Sequence, residues 1–255
     1  MGGTETIAML KTLKNRFEQG CKTSKYPAEP ISLYHRFRGM PIIDWGCEQE
    51  LIDRCVALCP QEAIDKADGT IDLGRCTFCG ECERVSGGRF IRFTENFELG
   101  CTSRQHLITG GILPDLASQA KEHFRKLFGR SLQLRQVSAA GCNSCEADTN
   151  VLNTPFFDLS RFGIDFVASP RHADGILVTG PVSKNMRQAL LDTYVAVPAP
   201  KVVIASGACS ISGGPFYGSS EIVGDLSSLL PVDLYIPGCP PHPLTTLHAL
   251  LSYFK

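Results

Sequence analysis

The sequence predicts an α/β fold with a parallel sheet, because strand-like and helix-like patterns alternate through the second half of the chain. Three short segments there are rich in Val, Ile or Leu and lead into glycine, as buried strands often do: Leu132–Val137, Lys201–Ser206 and Val232–Ile236. Helical patterns lie between them, and a closing helix is predicted from Pro243 to Phe254. This alternation is typical of a parallel sheet with helices packed on its faces.

The composition excludes several classes of protein. The 255 residues include 25 basic and 26 acidic side chains, so the formal net charge of −1 gives no reason to expect nucleic acid as a partner. With 43% hydrophobic residues, the chain can bury one core of ordinary size and a small second core. No apolar run approaches the roughly 18 residues of a membrane-spanning helix, and the first residues lack the apolar stretch of a signal peptide. We therefore expect a cytoplasmic protein with no direct membrane span.

The twelve cysteines are the most informative residues of the sequence. Their fraction lies below the roughly 8–10% of a disulfide scaffold, but it exceeds what an ordinary cytosolic chain needs. In a reducing compartment, such usage indicates metal binding or catalysis. The spacing of the cysteines divides them into two groups.

The first group predicts one [4Fe-4S] cluster in a small ferredoxin-like α+β module. Cys76, Cys79 and Cys82 follow one another at intervals of three residues, and Cys59 precedes Pro60 at the end of a C-x3-C-P string. In ferredoxins with two such runs, three cysteines of one run and the Cys-Pro cysteine of the other hold the same cluster. Zinc is the alternative, although zinc sites usually combine two pairs of ligands rather than a triple and a distant single.

The second cluster of a two-cluster ferredoxin is predicted to be lost from this module. Ile52 and Gln49 stand where the first run needs thiols, and Ser86 stands where the second run needs its fourth cysteine. The remaining Cys47 and Cys55 are too few for a cubane. We expect them to be small buried hydrophobic residues.

Four further cysteines predict a second four-thiolate site, because each follows one of the predicted strands: Cys142, Cys145, Cys209 and Cys239. The carboxyl ends of parallel strands meet at one edge of a sheet, where ligands bind. We predict a second [4Fe-4S] cluster at this edge. Spacing alone leaves a zinc site, or four separate buried thiols, as alternatives.

Five strings around these cysteines are more specific than their spacing: GCNSCE at 141–146, SPRHAD at 169–174, VTGPV at 178–182, SGAC at 206–209 and YIPGCPP at 235–241. From about Leu132 to the C-terminus, the sequence resembles the small subunit of group 4 membrane-bound [NiFe] hydrogenases, of the hydrogenase-4 and formate hydrogenlyase type. These proteins are related to the terminal-cluster 20 kDa subunit of complex I. The resemblance implies a flavodoxin-like fold and a cluster held by the four cysteines of the second group.

The resemblance also implies an electron-transfer subunit of a membrane-associated hydrogenase complex, peripheral on the cytoplasmic face of the inner membrane. Its partners would be a hydrogenase large subunit, or the 49 kDa-like subunit of complex I, and other iron-sulfur and membrane subunits. Complex I typically has adjacent cysteines where this chain has Cys142-x2-Cys145, which favours the hydrogenase branch. A complex I-like subunit that passes electrons from an iron-sulfur chain to quinone is the alternative. The front half is similar to ferredoxin modules that these complexes more often carry on a separate polypeptide.

Four segments are predicted along the chain: an N-terminal extension at 1–39, the ferredoxin-like module at 40–94, a linker with a helix at 95–130, and the hydrogenase small-subunit-like domain at 131–255. In the extension, apolar residues at helical spacing predict a docking face: Ile7, Leu10, Leu13 and Phe17. The glycine-rich segment 207–214 lacks the lysine of a P-loop, so nucleotide binding is not predicted.

Four polar residues are candidates for tuning a cluster or moving protons, and no catalytic residue is assigned on this chain. In the resembling proteins, the loop with Arg171 and His172 lies near the catalytic subunit, which suggests charge compensation and proton transfer. A loop held by its own hydrogen bonds is the alternative. Glu146 and Asp148 follow the first two ligands, where repulsion by an anionic cluster would raise their proton affinity. The alternative is that they cap the helix that starts there, which acidic residues often do.

Overall fold

The computed structural model describes residues 2–67, 69–110, 112–119, 122–128 and 131–255, apart from the side chains of 2–9, 117, 119, 123 and 125. The extension contains helix α1, Gly2–Gln19. The ferredoxin-like part consists of β1 (Pro41–Ile43), α2 (Gln49–Leu58), β2 (Ile64–Asp65), β3 (Thr70–Asp72), α3 (Glu81–Ser86), β4 (Ile91–Phe93) and β5 (Ile108–Thr109). The α/β part consists of α4 (Leu116–Gln119), α5 (Glu122–Phe128), β6 (Leu132–Ser138), α6 (Ser144–Val151), β7 (Ile164–Phe166), β8 (Gly175–Thr179), α7 (Lys184–Ala196), β9 (Val202–Ser206), α8 (Ala208–Ser212), β10 (Leu234–Ile236) and α9 (Pro243–Phe254).

The ferredoxin-like part repeats one local turn in its two halves. Strand β1 pairs antiparallel with β4, and β3 pairs antiparallel with both β2 and β5. Asp44 directly follows β1, and Asp72 is the last residue of β3. The Oδ1 atom of each accepts a hydrogen bond at 2.9 Å from the N–H group two residues later, that of Gly46 or Gly74. Each turn leads into a cysteine-bearing segment. Strand β5 comes from the segment predicted as a linker, so that segment contributes to the three-stranded sheet.

The five strands of the α/β part form one parallel sheet in the order β7-β6-β8-β9-β10. Numbered within this part, the order is 2-1-3-4-5, which is the flavodoxin-like arrangement. The predicted fold class is thereby confirmed. The three predicted strands correspond to β6, β9 and β10, and the closing helix has the predicted bounds.

Side chains of the sheet alternate between two hydrophobic cores, as expected for strands covered on both faces. On one face, Leu177 and Ile204 pack with Leu250 of the closing helix. On the other face, Val178 and Ala205 belong to a core that continues into the ferredoxin-like part.

The ferredoxin-like part is therefore packed directly on the α/β part. Cys101 and Tyr235 of β10 exchange two backbone hydrogen bonds, with N···O distances of 3.0 and 2.8 Å. The Ser212 hydroxyl of α8 donates to the carbonyl oxygen of Gly74 at 3.0 Å. These contacts, together with the shared core, fix the position of one cysteine loop relative to the other.

An ion pair between Asp72 and Arg104 supports the turn before the Cys76 loop, and its removal is expected to destabilise the chain by about 2 kcal/mol. The carboxylate accepts two guanidinium hydrogen bonds, at 2.8 and 2.5 Å, and the exposed fractions of the two side chains are only 15% and 20%. Asp72→Ala leaves the Arg104 charge half-buried without this partner and removes the acceptor for the Gly74 N–H. Chemical denaturation under anaerobic conditions measures the change.

Asp53→Ala is the matched control for this prediction. Asp53 also pairs with a cation, Lys66, but about half of each side chain is exposed, so the pair contributes little. Equal losses of stability in the two variants would contradict the role given to Asp72.

The predicted apolar face of α1 lies uncovered where its side chains are described. Leu10, Leu13 and Phe17 are exposed, and the side chain of Ile7 is outside the described part of the chain. In the segment predicted as a linker with a helix, 95–130, the structure describes helical residues in α4 and α5, and residues 120 and 121 between them lie outside the described part of the chain. Across the described residues, no helix has the length and hydrophobicity needed to cross a membrane.

Candidate iron-sulfur sites

The thiols of the first predicted set surround one cavity in the ferredoxin-like part. Cys59 follows the last residue of α2, and the other three lie on the loop from β3 into α3: Cys76, Cys79 and Cys82. All four line a cavity of about 350 Å³ whose walls include Ile64, Ile71 and Phe93. A small apolar cavity with four converging thiols has the donor chemistry of an iron-sulfur site.

Backbone N–H groups point at two of these sulfurs. The N–H of Ala63 donates to Cys59 Sγ, and the N–H of Phe78 donates to Cys76 Sγ, each at 3.3 Å. Donors of this kind stabilise negative charge on thiolate sulfur and on a bound cluster. In the loop from β3 into α3, Phe78 adopts a positive φ of 54°, which turns its N–H toward Cys76 Sγ.

Burial and neighbouring thiols disfavour the thiolate form of two thiols of this set, Cys76 and Cys82. Burial, as the largest cause, and the nearby thiols Cys79 and Cys59 together raise the pKa of Cys82 to about 12. Burial also raises the pKa of Cys76. Since only thiolates ligate iron, assembly at this site must displace these protons.

The residues around Cys47 and Cys55, where the sequence predicts the loss of a second cluster, belong to a hydrophobic core. Cys55 is fully buried in the same cluster of side chains as Ile52 and Phe90, and Cys47 packs against it. Trp45 adds an edge-to-face contact with Phe90, with ring centroids 4.9 Å apart. This packing supports the prediction that Cys47 and Cys55 are structural residues.

The thiols of the second predicted set surround a second cavity at the carboxyl edge of the parallel sheet. Cys142 and Cys145 lie where the chain passes from β6 into α6, Cys209 lies in α8 directly after β9, and Cys239 follows β10. All four line a cavity of about 360 Å³. Cys209 is buried, whereas Cys142 and Cys239 are exposed at the mouth.

Glycine allows the backbone to approach this cavity closely. Gly207 has a φ of +92°, and a Cβ atom at this position would lie 2.8 Å from Cys145 Sγ. Only glycine combines this backbone conformation with the absence of a side chain. The residue between β9 and α8 therefore leaves room for the sulfur and for any group that it holds.

The electrostatics of the second cavity resemble those of the first. Burial raises the pKa of Cys209 to about 12, and it also raises the pKa of Cys145, with a further rise from the neighbouring thiols of the set. Cys142 differs, because hydrogen bonds with Ser144 lower its pKa. Cys142 is thus the most readily ionised thiol of the set, whereas burial raises the pKa of Cys239, which is also exposed at the mouth.

Both cavities fit a polynuclear group. The four thiols of each set line one cavity, and four thiolates are the ligand set of a [4Fe-4S] cluster. Within the described part of the chain, no three His, Cys, Asp or Glu side chains are grouped as ligands of a single metal ion.

The two acidic candidates near the second cavity have different environments. Glu146 is buried and lines the cavity, and its Oε1 atom accepts hydrogen bonds from the hydroxyls of Ser138 and Thr179, each at 2.6 Å. Burial raises the pKa of Glu146, but the two hydroxyl donors outweigh it, so the pKa is lowered overall. Asp148 is half-buried, and burial raises its pKa.

Arg171 and His172 are not brought to either cavity. Both are exposed in a single 3-10 turn, Pro170–His172, that packs against β6 and α7. Asp174, two residues later, accepts the N–H of Gln133 near the start of β6 at 2.7 Å, whereas the cysteines follow the opposite ends of the strands. Of the polar side chains of this loop, Asp174 is held by a hydrogen bond, whereas Arg171 and His172 lie exposed and away from both cavities.

A third cavity, the seam cavity, lies between the two cysteine loops and has a volume of about 650 Å³. Thr77 and Phe78 of the first loop line it, as do Cys239 and Pro240 of the second. The N-terminal extension contributes Arg36, Phe37 and Arg38 to its wall. Sequence patterns gave no signal for this contact, since it joins segments that are far apart in the chain.

Comparisons with known proteins agree with the site in the α/β part. The family model of the NADH ubiquinone oxidoreductase 20 Kd subunit matches residues 142–253, which contain the second set of cysteines. The probable membrane-bound hydrogenase subunit mbhJ of Pyrococcus furiosus is 42% identical over 126 residues, which cover 49% of this chain and 75% of the relative. The chain belongs to this 20 Kd subunit family. The resemblance seen in the five strings is confirmed, and the family is one of iron-sulfur proteins.

Relatives from both branches of the family are about equally similar to the chain. Formate hydrogenlyase subunit 7 of Escherichia coli K12 is 44% identical over 128 residues, which cover 50% of this chain and 50% of the relative. An NADH-quinone oxidoreductase subunit of Roseiflexus sp. is 43% identical over 116 residues, which cover 45% of this chain and 43% of the relative. The chain thus spans half or less of the length of these two relatives.

Proposed function

We propose that the chain is an electron-transfer subunit of a membrane-associated hydrogenase complex and holds two [4Fe-4S] clusters. Cys59, Cys76, Cys79 and Cys82 hold one, and Cys142, Cys145, Cys209 and Cys239 hold the other. The observation that carries the proposal is that these eight thiols line two separate cavities whose loops meet at one seam. When bound, the clusters supply one-electron redox chemistry.

The chain's own residues position and insulate the redox groups. The fused core fixes the two cysteine loops relative to each other, so a path from one cavity to the other does not depend on the docking of a separate ferredoxin. N–H donors to Cys59 and Cys76 stabilise negative charge at the first site. At the second site, the open mouth beside Cys142 and Cys239 faces the proposed partner, a hydrogenase large subunit. Other iron-sulfur and membrane subunits would hold the complex on the cytoplasmic face of the membrane.

A complex I-like role is the second candidate function. It is favoured by the 43% identity to an NADH-quinone oxidoreductase subunit, which is close to the identity with the hydrogenase relatives. In that role, the same α/β cluster would deliver electrons to quinone at the neighbouring interface. The Cys142-x2-Cys145 spacing favours the hydrogenase branch.

Metal analysis and EPR spectroscopy of the intact complex, purified without oxygen, test the proposal. We expect about eight irons and about eight acid-labile sulfides on this chain, two distinct [4Fe-4S] signals on reduction, and nickel on the neighbouring subunit. Zinc with no sulfide would contradict the proposed cofactors. Iron and sulfide without nickel, together with quinone reductase activity, would establish the second candidate instead.

A further inference from the structure

We propose that Arg38 of the N-terminal extension raises the reduction potential of the cluster in the ferredoxin-like part. The inference rests on the proposed function, since it requires that this cluster is present. Arg38 lies 21 residues before the first cysteine of that set, and it is a positioning residue rather than a ligand.

Arg38 contacts the residues on both sides of Cys79. Its Nη1 atom donates a hydrogen bond to the carbonyl oxygen of Phe78 at 3.4 Å. On the other side, the guanidinium packs against Gly80: a Cβ atom at Gly80 would lie 2.4 Å from Arg38 Nε and 2.7 Å from Cζ. Only a glycine leaves room for this contact. The positive charge is thereby held against the backbone of the exposed ligand.

The extension is anchored on both sides of Arg38, which keeps its side chain in place. The ring of Phe37 makes an edge-to-face contact with His242, with ring centroids 5.1 Å apart. The N–H of Gly39 donates to the carbonyl oxygen of Thr94 at 2.8 Å. Neighbouring residues of the extension therefore contact the α/β part and the ferredoxin-like part, with Arg38 directed to the cysteine loop between them.

A cation in this position favours the reduced cluster. Reduction adds a negative charge, and a nearby positive charge stabilises that state relative to the oxidised state. Because Arg38 is exposed, solvent and salt screen the interaction, so the effect is modest. The other cluster is expected to change less: Arg38 and Cys239, a proposed ligand of that cluster, both line the seam cavity, but the hydrogen bond of Arg38 goes to the cysteine loop of the ferredoxin-like part.

EPR-monitored redox titration of the intact complex tests the proposal through Arg38→Gln. At a fixed potential, we expect the ratio of reduced to oxidised cluster in the ferredoxin-like part to fall about threefold, which corresponds to a midpoint about 30 mV more negative at 59 mV per tenfold. Arg38→Lys should retain most of the wild-type potential, since the charge remains. Lys66→Gln is the matched control, because it removes an exposed cation of the same module that does not line the cavity of this cluster.

Each outcome of this experiment is informative. An Arg38→Gln variant with full iron content and the wild-type midpoint would overturn the inference, and so would an equal shift in Lys66→Gln. If Arg38→Gln loses iron, Arg38→Met replaces it, since Met keeps an apolar stem over Gly80 without the charge. Iron loss in both variants would assign Arg38 a structural role and refute the tuning role. Absence of iron from the wild-type protein would instead refute the proposed function.

Discussion

Cys209→Ala is expected to halve the iron and sulfide content of the chain, from about eight to about four of each, and to remove one of two [4Fe-4S] signals. Cys209 is the buried thiol of the second cavity, so its loss removes the ligand that solvent or an exogenous thiol can least easily replace. Electron transfer through the complex should be lost, because the α/β site is the one that adjoins the proposed large subunit. Iron analysis and EPR spectra of the purified complex measure the result.

Two companion variants make this prediction selective. Cys76→Ala should remove the other cluster and leave the α/β signal, because its thiol lines only the first cavity. Cys55→Ala should keep both signals, since Cys55 is buried beside the first site but does not line its cavity. Loss of all iron in Cys209→Ala, or of either signal in Cys55→Ala, would contradict the division of the eight thiols into two independent sets.

The cysteine spacing and the strand pattern together predict most of this arrangement. The triple at Cys76, Cys79 and Cys82 needs one distant thiol, and the repeat of ferredoxin halves supplies Cys59. For the second set, the periodicity of β6, β9 and β10 is sufficient, since parallel strands carry their following residues to one edge. That the thiols of each set line one cavity could be predicted, because it depends on local spacing and on a general property of sheets.

The parts of the site that sequence reasoning missed depend on contacts between distant segments. Arg38 reaches Phe78 across 40 residues, and no periodicity links an exposed arginine to a cysteine loop. Glu146 lies in the first turn of α6. The sequence predicts that its carboxylate either responds to the charge of a cluster or stabilises the start of the helix. In the structure, the carboxylate accepts hydrogen bonds from the hydroxyls of Ser138 in β6 and Thr179 in β8. Side-chain direction decides such cases, and it follows from packing that a single sequence does not reveal.

The fusion of the two parts has a physical consequence for electron transfer. One hydrophobic core includes residues such as Ile71 of the ferredoxin-like part and Val178 of the sheet, so sliding one part over the other would expose apolar surface to water. The backbone pairing of Cys101 with Tyr235 adds a directional constraint. A ferredoxin on a separate polypeptide would reach the same geometry only by binding to the α/β part. That binding costs free energy, because the two chains lose translational and rotational freedom.

Gly207→Ala is expected to remove the α/β cluster selectively, although it adds only one methyl group. The new Cβ would lie 2.8 Å from Cys145 Sγ, so the thiol must move from its place in the cavity, and alanine also disfavours the φ of +92°. We expect the iron content to fall by about half, with the signal of the ferredoxin-like part retained.

Gly218→Ala separates the two effects of this substitution. Gly218 has a similar φ of +81°, but no heavy atom of the described chain lies within 4 Å of the place that its Cβ would take, beyond its own neighbours. Backbone strain of about 1–3 kcal/mol should therefore lower the stability of both variants. Of the two variants, only Gly207→Ala places a new atom against Cys145 Sγ. If the cluster requires the space beside that sulfur, we expect Gly207→Ala to lose iron and Gly218→Ala to keep it. Equal iron content in the two would show that the cavity tolerates a side chain at 207 and that Cys145 need not occupy the described position.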